Sequence, residues 1–239
     1  VLTSKDIPGQ NGFGIAIQDQ PVFCNTYVRY QGDAVACVGA ETLEEAKAAV
    51  NKIKVDYEIL EPITTYDQAL SEKALKLHEK GNVLQNSHFS KGDTQNYELK
   101  PNEFVIENRY HTSMMDHLFL ETEAGVAFYD EDGKLTIIAG GQYPQRDQTQ
   151  IARVLNLKNE DIRVISGPIG GGFGGKDEIT IQMFIALITF YTKRPSKIFL
   201  DRDESLIAGM KRHSMDIKLK TSNSRDGRFT LLTSDILSD

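Results

Sequence analysis

The sequence predicts an α+β fold made of at least two parts. Apolar runs bounded by turn residues alternate with helical stripes in the order strand, helix, strand, once near the start of the chain and once in its second half. A chain of 239 residues, set against roughly 150 residues per domain, has room for one large core or two modest ones. With 40% apolar residues, 26% charged residues, 19 glycines and 7 prolines, the composition is that of a globular protein and excludes disorder and collagen. No apolar run approaches the roughly 18 residues that span a bilayer, which excludes a membrane helix.

Charge and cysteine usage narrow the function classes. Lys and Arg number 27 against 34 Asp and Glu, giving a formal charge of −7. No stretch has the clustered basic footprint that phosphate backbones demand, so neither nucleic acid nor a membrane is an expected partner. Cys24 and Cys37 are the only cysteines, too few for a disulfide framework and not at metal-ligand spacing. Two inert thiols in a reducing, cytoplasmic setting are expected, with no metal held by the chain's own side chains. The chain opens on Val1-Leu2-Thr3, with no basic segment leading into an apolar one and so no visible targeting signal. It ends on the strand-like run Phe229 to Asp239, with no turn or partner strand apparent after it. An internal piece of a longer protein, truncated at both ends, is expected.

Element by element, Ala34 to Gly39 reads as a short buried strand after the turn-forming Gly32-Asp33. Thr42 with Glu45 forms a capping box, and Leu43, Ala46, Ala49, Val50 and Ile53 share one helical stripe through Lys54. Val55 to Leu60 alternates as a strand and ends at Pro62. Residues 1–62 are thus expected as a compact α+β block without chemistry. Residues 63–100 are polar, with one helix near Asp67 to Leu77, and are expected as a surface connector. A second domain is expected over 101–239. Phe104 to His111 and Gly125 to Tyr129 read as strands, and Asp130-Glu131-Asp132-Gly133 turns into a further strand, Lys134 to Ala139. Pro144 opens a helix whose stripe is Ile151, Val154 and Leu155, and Asp161 to Ile165 is the next strand.

The most unusual segment is Gly167-Pro168-Ile169-Gly170-Gly171-Gly172-Phe173-Gly174-Gly175-Lys176-Asp177, between that strand and an apolar helix expected from about Glu178 to Tyr191. Five glycines in six positions suit a backbone that approaches another body closely or adopts positive φ. Amides at a following helix N-terminus would favour an anion. Several readings fit. A packing turn would need only one or two glycines. Gly170, Gly172 and Gly175 match the dinucleotide spacing, with Asp201 after the strand Lys197 to Leu200 as ribose acceptor, but Asp201 lies further on than that fingerprint expects. Gly170 to Lys176 also matches a phosphate loop in which Asp177 replaces the required hydroxyl.

Four motifs in order carry a resemblance. Gly170-Gly171-Gly172-Phe173-Gly174-Gly175-Lys176-Asp177, Leu200-Asp201-Arg202-Asp203-Glu204-Ser205, Lys211-Arg212-His213 and Asp116-His117-Leu118-Phe119-Leu120-Glu121-Thr122-Glu123 resemble the molybdenum-binding subunit of the xanthine dehydrogenase and aldehyde oxidase family. Tyr27 to Asp33, with the helix after it, is similar to that family's small N-terminal hammerhead domain, so the resemblance covers essentially the whole chain. It implies a hammerhead-type α+β domain followed by the first part of a molybdopterin-binding α/β domain.

The resemblance also implies roles. The cofactor would be a molybdopterin-type molybdenum cofactor, approached by the backbone of Gly171, Gly172, Phe173 and Gly174. Asp177 would line the substrate pocket, one methylene shorter than the usual Glu. Met115 occupies the place of a glutamine that commonly hydrogen-bonds the metal's oxo ligand; a thioether donates nothing, so either that contact is missing or the correspondence shifts there. The general base is expected downstream, leaving no catalytic residue in this chain. The implied activity is hydroxylation of an N-heterocycle or aldehyde with oxygen from water, with iron–sulfur clusters and FAD on partner domains or subunits. The alternative is a nucleotide-binding or scaffold domain using the glycine loop for phosphate. Glu121 and Glu123 are read as solvent-facing or sheet-capping, His111 and His117 as structural, and Asp203 as the cap of a helix from Glu204 to Gly209.

Overall fold

A computed structural model describes residues 1–239. In chain order the elements are β1 (Leu2–Thr3), β2 (Ala36–Cys37), α1 (Leu43–Val50), α2 (Tyr66–Leu70), β3 (Glu103–Thr112), β4 (Met115–Asp116), β5 (Ala124–Tyr129), β6 (Leu135–Ala139) and α3 (Pro144–Leu155). There follow β7 (Ile162–Ile165), α4 (Gln182–Thr192), β8 (Ser196–Phe199), α5 (Arg202–Ala208), β9 (Lys211–Arg212), β10 (Met215–Ser224) and β11 (Phe229–Ser238). The fold is α+β, and it gathers into two compact units of two chain segments each: 1–56 with 116–211, and 57–115 with 212–239.

The first unit is built on the four-stranded sheet β7-β6-β5-β8. β5 pairs antiparallel with β6 and β8, while β7 runs parallel to β6 because α3 carries the chain back across the sheet. Pro144 opens α3 as the sequence predicts, and Ile151, Val154 and Leu155 are buried against the sheet. α4 is apolar on nearly all sides because it is covered by the sheet, by α3 and by the N-terminal segment. That segment inserts Phe13, Val22 and Phe23 into the same core, and the Phe23 and Phe184 rings lie 5.5 Å apart. Gly9 N and Gln10 N donate to Val154 O and Arg153 O at 2.9 and 3.1 Å, satisfying carbonyls at the open end of α3.

The second unit is the antiparallel sheet β11-β10-β3. Its register places Tyr110, Ile217 and Ile236 side by side on one face and Arg109, Lys218 and Asp235 on the other. The chain's last strand finds its partner in the segment before it: β10 and β11 form a hairpin across Arg225 to Arg228, and β11 is the sheet's edge. β10 itself was not expected, although Ile217, Leu219 and Thr221 alternate with Asp216, Lys218 and Lys220.

Other elements depart from expectation for identifiable reasons. Thr42 and Glu45 form the capping box of α1, but the helix ends at Val50 rather than Lys54, and Leu43 and Val50 are exposed. The strand expected over 34–39 shrinks to β2, held only by β1. Val55 to Leu60 forms no strand, because no other strand lies alongside to accept its hydrogen bonds, and Ile59 is fully open to solvent. α2 stops at Leu70, where Ser71 turns extended. The helix expected from Glu178 begins only at Gln182, with no side-chain cap, since Ile179 and Ile181 are buried in irregular backbone before it. Asp201, not Asp203, caps α5: its side chain accepts from Glu204 N and the Glu204 side chain returns to Asp201 N, both at 2.9 Å.

Candidate functional site

The glycine-rich loop runs irregularly from the end of β7 to the start of α4. Gly171 and Gly174 stand at φ +93° and +95°, and Phe173 between them is held at +51°, a left-handed conformation that is unfavourable for a bulky residue. A turn closes inside the loop through Gly175 N donating to Gly172 O at 2.7 Å.

The rest of the site presses the loop into this shape from one side. Glu121 N donates to Gly170 O at 3.2 Å, and the Glu121 carboxylate accepts from Gly170 N at 2.8 Å and from Lys176 Nζ at 2.9 Å. Lys176 is buried, its ammonium 4.6 Å from the centre of the Phe119 ring, so the ion pair with Glu121 is the contact that makes its burial tolerable. The Lys176 bond, followed by the Gly170 amide, holds the Glu121 carboxyl below the usual carboxylate range. Close approach accounts for the remaining glycines. A Cβ on Gly170 would lie 2.7 Å from Glu121 Cβ, one on Gly175 would lie 2.8 Å from His117 Nδ1 and from Phe119 Cε1, and one on Gly172 would lie 3.0 Å from Gln142 Oε1. His117 Nδ1 in turn donates to Met210 O at 3.3 Å, and Gln142 N donates to Lys176 O at 3.1 Å.

The other side of the loop is open. The Phe173 ring is 78% exposed. The amides of Gly171, Gly172, Phe173 and Gly174 donate to no acceptor within the chain. Four adjacent unspent donors, with the Glu121 carboxylate neutralised by Lys176, fit a group that presents oxygen or sulfur acceptors.

The structure brings Gly171, Gly172, Phe173 and Gly174 together, with Asp177 three residues beyond on the same turn. Asp177 is half-buried and its carboxylate makes no hydrogen bond or ion pair, but it does not begin a helix, since α4 starts five residues later. Met115 is exposed and is the last residue of its segment in the second unit. His111 lies on β3 in that unit, whereas His117 lies against the loop. Asp201 is a helix cap, not a free ribose acceptor, and no helix directly follows Lys176 as a phosphate loop requires.

Sequence reasoning missed several members of this site. Glu121 is exposed as expected, but its carboxylate also holds the loop, and its signal was Lys176: a lysine amid an apolar glycine turn needs an acid partner. Glu123 is 2% exposed with both carboxylate oxygens unpaired, so it is neither solvent-facing nor a sheet cap. His117, Phe119 and Gln142 carried no local signal, because their contacts with the loop arise from chain topology. The thiols match expectation: burial pushes Cys37 up to about 12 and Cys24 up to about 11, leaving both protonated.

Comparison with known proteins agrees with this geometry. Residues 77–239 match the family model described as molybdopterin cofactor-binding domain, and residues 1–61 match the aldehyde oxidase and xanthine dehydrogenase a/b hammerhead domain. The chain is 44% identical over 236 residues to a probable xanthine dehydrogenase subunit of Bacillus subtilis (strain 168), covering 99% of this chain and 31% of that protein. It is 38% identical over 239 residues to the nicotinate dehydrogenase large molybdopterin subunit of Eubacterium barkeri, covering all of this chain and 56% of the relative. The chain thus spans from about a third to just over half of these relatives' length. The aldehyde oxidoreductase from Desulfovibrio desulfuricans ATCC 27774 superimposes with a TM-score of 0.90 at 24% identity, over 100% of this chain and 28% of that one, which establishes the fold. A row of unspent backbone donors on a glycine-rich loop suits such a cofactor, and the match of more than half the residues shows that the chain belongs to the molybdopterin cofactor-binding family, preceded by its hammerhead domain.

Proposed function

We propose that the protein carrying this chain is a molybdenum hydroxylase that oxidises an N-heterocycle or an aldehyde with oxygen taken from water. The observation that carries this reading is the row of four unspent amides from Gly171 to Gly174, in a loop whose Phe173 and Gly174 are exposed. Family membership supports it, as do two relatives named for xanthine and nicotinate. As domains we assign 1–62 to the hammerhead, 63–100 to a connector and 101–239 to the first part of the molybdopterin-binding domain. We assign the protein to the cytoplasm, with no membrane or nucleic-acid partner; no helix is long and apolar enough to cross a membrane.

When bound, the molybdenum cofactor activates water and takes up the two electrons released by C–H oxidation. The chain's own residues bind and orient. The amides of Gly171, Gly172, Phe173 and Gly174 would hold the cofactor through its acceptor atoms, from a backbone braced by Glu121, Lys176 and His117. The Phe173 ring gives an apolar face beside those donors. By the family resemblance Met115 takes the sequence position of a cofactor-binding glutamine, where a thioether would donate no hydrogen bond. The Asp177 carboxylate, free of other partners, accepts a substrate N–H. Glu121 is committed to Lys176 and Gly170, so the proton-accepting base is assigned outside this chain. Iron–sulfur clusters and flavin are likewise assigned to partner domains or subunits, since a cluster takes four thiolates and both thiols here are protonated.

Metal and pterin analysis of the holoenzyme tests the reading. About one molybdenum and one pterin per chain is expected, and bound nucleotide without metal would overturn it. Asp177→Asn tests the substrate assignment: loss of a charge-assisted bond worth about 1.5–3 kcal/mol should lower turnover of an N–H heterocycle roughly tenfold or more while sparing aldehydes. An equal small decrease on both substrate classes would assign Asp177 a structural role.

A further inference from the structure

A buried polar bridge joins α3 to the segment that follows the glycine-rich loop. α3 turns Asp147 and Gln150 inward on the face that also carries Ile151 and Val154, and all four are buried. The Gln182 side chain, 1% exposed, donates through Nε2 to Asp147 Oδ2 at 3.1 Å and accepts through Oε1 from Thr180 N at 2.9 Å. One turn along α3, Gln150 Nε2 donates to Glu178 Oε1 at 3.2 Å, while Gln150 Oε1 accepts from Gly14 N at 2.8 Å. Two side chains of α3 therefore hold the limb of the loop that follows the glycines, at positions 178 and 182.

The same bridge supports a second segment. Gly141 sits directly on it: a Cβ there would lie 3.1 Å from Asp147 Oδ2 and 3.4 Å from Gln182 Nε2. The next residue, Gln142, holds Lys176 O through its amide at 3.1 Å and lies with its side chain against Gly172. Displacing the bridge would thus move the loop from both sides. Replacing a buried polar pair by apolar residues of similar size is often neutral or stabilising, so a pair whose bonds run in fixed directions is better explained by the geometry it imposes.

Resting on the proposed function, we infer that Asp147 and Gln150 are positioning residues for the cofactor loop. Through Gln182 and Glu178 they fix the limb after the glycines, and through Gly141 they fix the turn that sets Gln142 against Gly172. Neither touches the cofactor.

The test uses the holoenzyme with the double substitution Asp147→Leu and Gln182→Leu, which removes the bridge but fills its volume. The expected result is a melting temperature equal to or above that of the wild type, with molybdenum and pterin content reduced at least threefold. Hydrogen exchange of the amides in 168–177 should accelerate about tenfold while the β5 and β6 amides stay unchanged. Asp147→Asn alone should restore wild-type content, because its side-chain oxygen still accepts from Gln182. Full cofactor content and unchanged exchange in the double variant would overturn the inference alone. A wild-type holoenzyme without pterin-bound molybdenum would overturn the proposed function and this inference with it. Should the double variant not fold, Gln150→Leu with Glu178→Leu removes the neighbouring bridge; the same loss of content is expected, and full loading would again overturn the inference.

Discussion

Phe173 combines two properties that are rarely found together: a strained backbone and a large ring turned out to solvent. An exposed ring contributes little burial energy, so Phe173→Ala should leave the melting temperature within about 2 °C of the wild type. If the ring lies against the cofactor, turnover should nonetheless fall tenfold or more. Parallel measurements of melting and turnover check this, and matched losses in both would make Phe173 an ordinary packing residue. Asp147 shows the opposite balance. Burial pushes its carboxyl up to about 6, with the Gln182 bond opposing and Glu178 adding to the rise. A carboxyl whose folded pKa exceeds its unfolded value binds its proton more readily in the folded state. Stability from this group is therefore fully present below about pH 4 and is lost as pH rises through about 6. Relative to Asp147→Asn, the wild type should lose of order 2–3 kcal/mol between those values and then level off. Urea unfolding of both proteins across pH 4–8 measures the difference, and parallel curves would refute the assignment.

At the level of elements, the clearest marks in the sequence were those that act within one turn of chain. The Thr42 and Glu45 capping box of α1 and the proline at the start of α3 were both legible because their partners lie within three residues or on one stripe. The same local logic was available for α5 but was placed two residues late. Since Asp201 is the cap, Asp201→Ala should cost about 1 kcal/mol of stability and Asp203→Ala much less, a difference that chemical denaturation resolves. Val55 to Leu60 shows where such logic ends: alternation supplies a face, but a strand also needs a neighbour, and none is present. The glycine block itself stood out, whereas Glu121, some fifty residues upstream, did not, because long-range pairing is decided by topology. Asp147 and Gln150 were in principle visible, as polar residues on the face of α3 that carries Ile151 and Val154. A helix stripe interrupted by an acid is a signal of a buried bridge, and it was passed over as periodicity alone.

At the scale of the whole molecule, order is unevenly distributed. The core of the first unit is closed by α3, α4 and the N-terminal segment, while two stretches of chain lack regular structure and internal support. Residues 54–63 form no element and are mostly exposed. Residues 83–102 contain only short-range bonds, such as Asn96 Nδ2 to Asp93 Oδ1 at 3.0 Å, whereas the preceding turn is tied by Asn82 to Ala69, Leu75 and Leu77. A protease must draw roughly ten residues into an extended strand, so cleavage follows local unfolding rather than exposure alone. Limited trypsin digestion of the folded protein should therefore cut first after Lys54 and Lys91. Lys134 and Arg225 are accessible too but lie beside tight turns whose flanking strands, β5 with β6 and β10 with β11, would have to separate first. Lys176 is buried and paired, and should be cut last. Mass spectrometry of the early fragments decides the order; early cleavage at Lys134 or Arg225 would mean that the hairpins, not the irregular stretches, are the least stable parts of the molecule.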